Sequence, residues 1–386
     1  MRAPAAVPDP RRFPEPARAL PLDASLYALA AASLGADTGG MADAADRDVR
    51  NALHARLAGD GPGLARLLAQ APSVAVARYL WRQLDHAWRE AGRADALAAT
   101  LFAIPLVVVA GLEARTGELP LPGVLADRSA VTELLREHGA LRGNRAFALA
   151  DALVAADAID IPLLPAMLEW QRLDEHAAVA RLAGGELKPA PLTAPAGREA
   201  VHLRFIIGTA LAGPGVDVLA DATVGRWGTP LTRELARQLS IGAARVLALP
   251  RAAQRPLPAV KQGRSAQREI SAQLFLGNAL RRMRAVGGEP TAVISAHRAP
   301  DAPGGGELRV SLSSPFDPRD DEGFRCPLHP FDRVAEVVTM LEALLADCRV
   351  ADVRLVGGVH PDRDPATGQR LLFKRDAIPD ELGRLH

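Results

Sequence analysis

Seventeen consecutive residues without a charge, ALAATLFAIPLVVVAGL from Ala96 to Leu112, must leave water in any folded form of this 386-residue chain. A membrane-spanning helix needs about 20 apolar residues, with roughly 17 as the lower limit. Here alanines dilute the run and Pro105 interrupts it. A helix loses a hydrogen bond at a proline and bends or restarts there. The expectation is therefore a buried central helix, kinked at Pro105, and no membrane span.

The text on either side sets the organisation. Up to residue 183, segments such as GLARLLAQA, SVAVARYLWRQLDHAWREAG, SAVTELLREHG, NRAFALADALVAAD and PLLPAMLEWQRL space their apolar residues by three and four, which is helical periodicity. Ser73, Asp127 or Ser129, and Asn144 are expected as N-caps and Gly139 as a terminator. Trp81 and Trp88, seven apart, share a helix face as packing anchors. Residues 184–199, GGELKPAPLTAPAGRE, concentrate glycine and proline in the manner of a linker. Beyond them VHLRFIIGTAL, ARVLALP, PTAVISAH, GELRVSLSSP, DVRLVGGVH and QRLLFK read as strands. Three helical patterns intervene: one with Thr229 as cap, a longer one with Ser265 as cap, and one beginning near Pro330. The expected fold is an α-helical N-terminal domain (23–183) followed by an α/β sandwich domain (200–386) with a mixed sheet, behind a proline-rich leader (1–22). PTAVISAH and GELRVSLSSP are expected to pair as a hairpin.

Charge is balanced, 46 basic against 45 acidic residues, and aromatics make up only 4%. Neither suits a nucleic-acid or anionic-membrane binder, which needs a positive surface and stacking platforms. The two cysteines, Cys326 and Cys348, argue against a disulfide framework and for a reducing compartment. The leader lacks the apolar core of a signal peptide, so a cytoplasmic location is expected.

Chemistry-bearing residues fall into three groups. Residues 251–284 carry eight basic side chains against Glu269 alone. There a loop RPLPAVKQGRSAQ could offer Lys261, Arg264 and Arg268 to a phosphate or carboxylate at a helix N-terminus, with Arg298 as a further cation. His297 and His360 follow strands and His329 precedes a helix, and loops at strand ends are where sheet proteins keep catalytic groups; if these histidines converged they could perform general acid–base catalysis. Cys326-Pro327-Leu328-His329 is half of a zinc pattern, but Cys348 has no close second ligand, so no metal is expected. No cofactor motif is present either. The stretch VGGVHPDRDPATGQRLLFK reads as a β-hairpin crown around Asp364-Pro365 and Gly368.

Several C-terminal phrases, SAQREISAQLFLGNALRRMRAVGGEPTAVISAHRAPD, ELRVSLSSPFDPRDDEGFRCPLHPFDRV and GGVHPDRDPATGQRLLFK, together with ALAATLFAIPLVVVAG, resemble an uncharacterised family from betaproteobacteria and their relatives. The resemblance implies a cytoplasmic bacterial protein of two parts and supplies no activity or site residues. With no named catalytic motif, the function expected is an adaptor or regulatory binding protein. Its helical half would dock a protein partner and its α/β half a partner or small anionic effector. The alternatives are a hydrolase or transferase acting on an anionic small molecule, and nucleic-acid binding through residues 251–284.

Overall fold

The computed structural model describes residues 21–356, apart from 36–38, 92–97, 114–115, 174–176, 178–179, 183–186, 213–216, 220–222, 286–288, 299–305, 314–321 and 330–331. Four helices open it: α1 (Pro21–Gly35), α2 (Gly39–Leu57), α3 (Gly61–Ala69) and α4 (Val74–Ala91). Ser73 accepts from the Val76 amide at 3.2 Å at the start of α4, and Trp81 and Trp88 are buried together in the first core.

The uncharged run is a strand, β1 (Ala98–Leu112), not a helix. It pairs antiparallel with β5 (Glu199–Ala212) over 14 residues, from Ala98↔Ala212 to Gly111↔Glu199. It lies between β5 and β6 (Ala244–Pro250) in a sheet of order β3-β5-β1-β6, where β3 is Phe147–Val154. The sheet is covered on both faces. Leu101 and Ala103 meet the N-terminal helices, while Phe102, Ile104, Leu106 and Val108 meet the opposite core. A strand buried on both sides shows no polar alternation, so periodicity cannot separate it from a buried helix. The Val107-Val108-Val109 run suits a strand better. Pro105 is tolerated because pairing with β6 starts at Leu106↔Pro250, and the Pro105 carbonyl, accepting from the Arg251 amide at 2.8 Å, faces the side beyond that strand's end. A proline here forfeits no bond to β5.

Two further readings change with it. NRAFALADALV contributes β3, not a helix, with a bulge between Leu149 and Leu153. Residues 192–195, within the expected linker, form β4 (Leu192–Pro195), which pairs with β2 (Glu118–Leu121). The first half is therefore not all-helical; the chain is mixed helix and sheet, and its first sheet takes strands from both sides of residues 184–199. Further helices of this part are α5 (Arg128–Glu137), α6 (Leu164–Gln171) and α7 (Val224–Leu239). Asp127 caps α5, accepting from the Ala130 amide at 2.9 Å. α7 begins five residues before Thr229, and Pro230 lies inside it rather than at its first turn.

A single helix, α8 (Pro256–Ala285), joins this body to a second sheet. At 1.5 Å per residue its length is roughly 45 Å. Leu257, Ala259 and Val260 enter the first core, whereas Ala272, Leu276, Ala279, Leu280 and Met283 enter another. Counted at 3.6 residues per turn, the two sets lie on nearly opposite sides of the helix. Its whole-length amphipathicity therefore cancels, although each half is amphipathic. The second sheet has the order β10-β7-β8-β9, from β7 (Thr291–Arg298), β8 (Gly306–Ser313), β9 (Glu322–Pro327) and β10 (Asp352–Val356), with α9 (Val334–Asp347) on its apolar face. β7 and β8 pair antiparallel as expected, and β10 runs parallel to β7, which makes the sheet mixed. Among the described residues no helix is long and apolar enough to cross a membrane.

Candidate functional site

α8 starts at Pro256, so the expected anion-binding loop is helical, and Ser265 is an interior residue rather than a cap. Lys261 is exposed on this helix. Arg264 and Arg268 point at carboxylates of the chain itself: Arg264 Nη2 lies 3.1 Å from Asp160 Oδ2, and Arg268 pairs with Asp332, with side-chain exposures of 8% and 7% for the latter pair. The Asp332 carboxylate also accepts from the His329 amide at 2.7 Å, while its backbone carbonyl accepts from Arg78 Nε at 2.9 Å. His329 Nε2 stands 4.0 Å from Asp160 Oδ2. Arg264, Arg268 and His329 are thus brought together where α4, α8 and the turn before α9 meet.

This cluster is built as a clasp. Asp160 comes from the first body and Asp332 from the second, and α8 supplies the cation to each. The His329 imidazole is held at a pKa of about 3, first by burial and then by the neighbouring Arg264 and Arg268 guanidiniums. A ring neutral throughout the physiological range cannot act as a general acid there. Cys326 faces the second core, and burial pushes its thiol up to about 12, which suppresses the thiolate needed for nucleophilic or metal chemistry. Among the described residues no group of three His, Cys, Asp or Glu side chains is placed to hold a metal ion.

Other arginines of the 251–284 segment are tied in the same way. Arg282 pairs with Glu322 at 2.5 Å, and Arg284 donates to the Cys348 carbonyl at 2.6 Å and the Arg349 carbonyl at 3.2 Å. Three of the segment's eight basic side chains, Arg268, Arg282 and Arg284, thus hold the second sheet and its covering helix to α8, and Arg264 ties α8 to the first body.

His297 belongs to a second constellation. Alternation along β7 and β8 puts Ser295, His297, Glu307, Arg309, Ser311 and Ser313 on the face opposite the apolar core, and all six are buried. Ser295 Oγ and His297 Nε2 are 2.8 Å apart. His297 sits directly across from Glu307, whose carboxylate binds Arg309 Nε at 2.5 Å and Arg325 Nη2 at 2.8 Å. Glu307 is therefore committed to two guanidiniums. Desolvating a carboxylate of 1% side-chain exposure is offset by those two charge-assisted bonds. Arg298 ends β7 opposite Gly306. His360, Gly357 and the proposed hairpin crown lie outside the described residues.

Ser295, Glu307, Arg309 and Arg325 were not singled out from the sequence. For Ser295, Glu307 and Arg309 the signal is the period-two polar pattern in TAVISAHR and GELRVSLS, while Arg325 lies on β9. That pattern ordinarily marks a solvated face, and sequence alone gives no sign that this one is buried.

No protein-family model, curated protein or solved structure matches the chain in comparison, so the resemblance in the C-terminal text gains no support from them.

Proposed function

We propose that the protein is an adaptor or regulatory binding protein, with a partner-docking first body and a second body that holds a partner or a small anionic effector. The observation that carries the reading is how Arg264, Arg268 and His329 are used. Side chains suited to catalysis or ligand capture are instead spent on a buried clasp that ties two bodies to one helix. A fixed relative geometry is what a docking protein requires, since pre-organised surfaces lose less entropy on binding. The face bearing buried Ser295, His297 and Arg309, with the more exposed Arg325 beside them, supplies hydroxyl and guanidinium donors of the kind that hold phosphate or carboxylate.

A thermal-shift series with phosphorylated metabolites, nucleotides and divalent metals tests the effector part. A ligand of the native state raises the apparent midpoint by mass action. The rise should disappear in Arg325→Gln, whose side chain is 43% exposed and can be changed without emptying the core. A panel with no shift would remove the effector and leave the docking role alone.

The Ser295–His297 contact favours a second reading, a hydrolase or transferase acting on an anionic small molecule, with Ser295 as nucleophile and His297 as its base. A serine-directed fluorophosphonate would then label Ser295 in the native protein and fail to label it in His297→Ala. Labelling that ignores that substitution would end this reading.

A further inference from the structure

Most arginines on α8 are paired with a carboxylate or with backbone carbonyls, whereas two on α5 are held more loosely. A cavity of about 270 Å³ opens between α5 and β3, and Arg128, Ser129, Glu133, Arg136 and Phe147 contribute to its lining. Arg136 lies over the Phe147 ring with its guanidinium carbon 5.9 Å from the centroid. Arg128 reaches the Leu149 carbonyl through one long contact of 3.5 Å. Neither guanidinium has a carboxylate partner among the described residues. Their anchor points, Phe147 and Leu149, are two residues apart on one strand, roughly 7 Å.

We propose that this cleft binds a small dicarboxylic acid, one carboxylate on each of Arg128 and Arg136. Two guanidiniums lining one open cleft, anchored roughly 7 Å apart along β3 and still carrying free donors, match two carboxylates joined by a short carbon chain; each pairing can be bidentate. The cavity is smaller than the roughly 300 Å³ at which drug-sized sites begin, which limits the ligand to about ten non-hydrogen atoms. Glu133, exposed on the rim, carries the complementary charge for an ammonium group and so extends the fit to an acidic amino acid. The site lies in the first body, away from the clasp and the polar face of the second sheet. It is therefore independent of the effector reading above.

Titration calorimetry of the full chain with glutarate, L-glutamate, acetate and inorganic phosphate tests the assignment. Binding of glutarate or L-glutamate at millimolar concentration or below is expected, with acetate and phosphate weaker by about tenfold or more, the equivalent of one lost charge-assisted contact. Arg136→Gln, on an exposed side chain, should weaken the dicarboxylate by a similar factor while leaving the thermal midpoint of the free protein in place. Arg128→Gln should do the same, and if it fails to fold, the Arg136 variant still decides. A preference for L-glutamate over glutarate that vanishes in Glu133→Gln places the ammonium at the rim. The proposal is overturned if neither dicarboxylate binds, if acetate or phosphate binds equally well, or if the Arg136 variant binds unchanged.

Discussion

Gly263 of α8 lies so close to Phe205 of β5 that a β-carbon on the glycine would come within 3.0 Å of the ring's Cζ, and within 2.8 Å of Leu203 Cδ1. The contact sets how closely the connecting helix approaches the first sheet. Replacing Gly263 by alanine gains about 1 kcal/mol of helix propensity but forces the helix off the sheet, an overpacking cost of about 1–3 kcal/mol. Packing should win, so Gly263→Ala is expected to lower the urea midpoint. A raised midpoint would mean that the helix shifts freely.

The clasp predicts non-additivity. Arg268 and Asp332 are buried against one another, and removing one partner leaves the other's charge uncompensated, at a cost of about 3–5 kcal/mol. Arg268→Met or Asp332→Leu alone should therefore destabilise strongly in urea denaturation, and the double variant should recover most of the loss. Additive losses would show that the pair does not act as a unit.

Stability should fall on the acid side through His329. Its folded pKa of about 3 lies below the ordinary value of 6.5, so the unfolded chain binds the proton more readily. The contribution is fully present above about pH 6.5 and is lost as pH drops toward 3. Between pH 7.5 and 5 it amounts to about 2 kcal/mol. His86 and His202 are also lowered, chiefly by burial, and act in the same direction. The measurement is thus a difference, with His329→Gln losing less stability than the parent chain over that interval. Identical pH slopes would contradict the assignment.

Arg349 follows α9 with φ of 59°, the left-handed conformation at which helices usually stop on glycine. A non-glycine residue there costs roughly 1–2 kcal/mol. Because Arg284 binds the Arg349 carbonyl rather than its side chain, Arg349→Gly keeps that contact. A modest rise in thermal midpoint is expected, and a fall would mean that the Arg349 side chain contributes more than the strain it imposes.

What the sequence by itself determined were elements whose pattern is local. α1 to α5 follow three-and-four spacing and their caps, Asp127 and Ser73 among them. The β7–β8 hairpin follows period-two alternation, and the anchoring of Trp81 and Trp88 follows their seven-residue separation. Tertiary structure alone decided the rest. Ala98–Leu112 is equally apolar on every side, and it is a strand because β5 and β6 flank it and helices cover both its faces. Phe147–Val154 is a strand because it pairs with β5 at the edge of that sheet and buries one face in each core. The α8 halves bury opposite sides, which erases any single apolar stripe from the sequence. Arg264 and Arg268 read as free cations in RPLPAVKQGRSAQ because Asp160 and Asp332, which neutralise them, are 104 and 64 residues away in the chain. Local text carries periodicity and capping chemistry. It does not carry burial on both faces, or the distant partner that makes a charge structural.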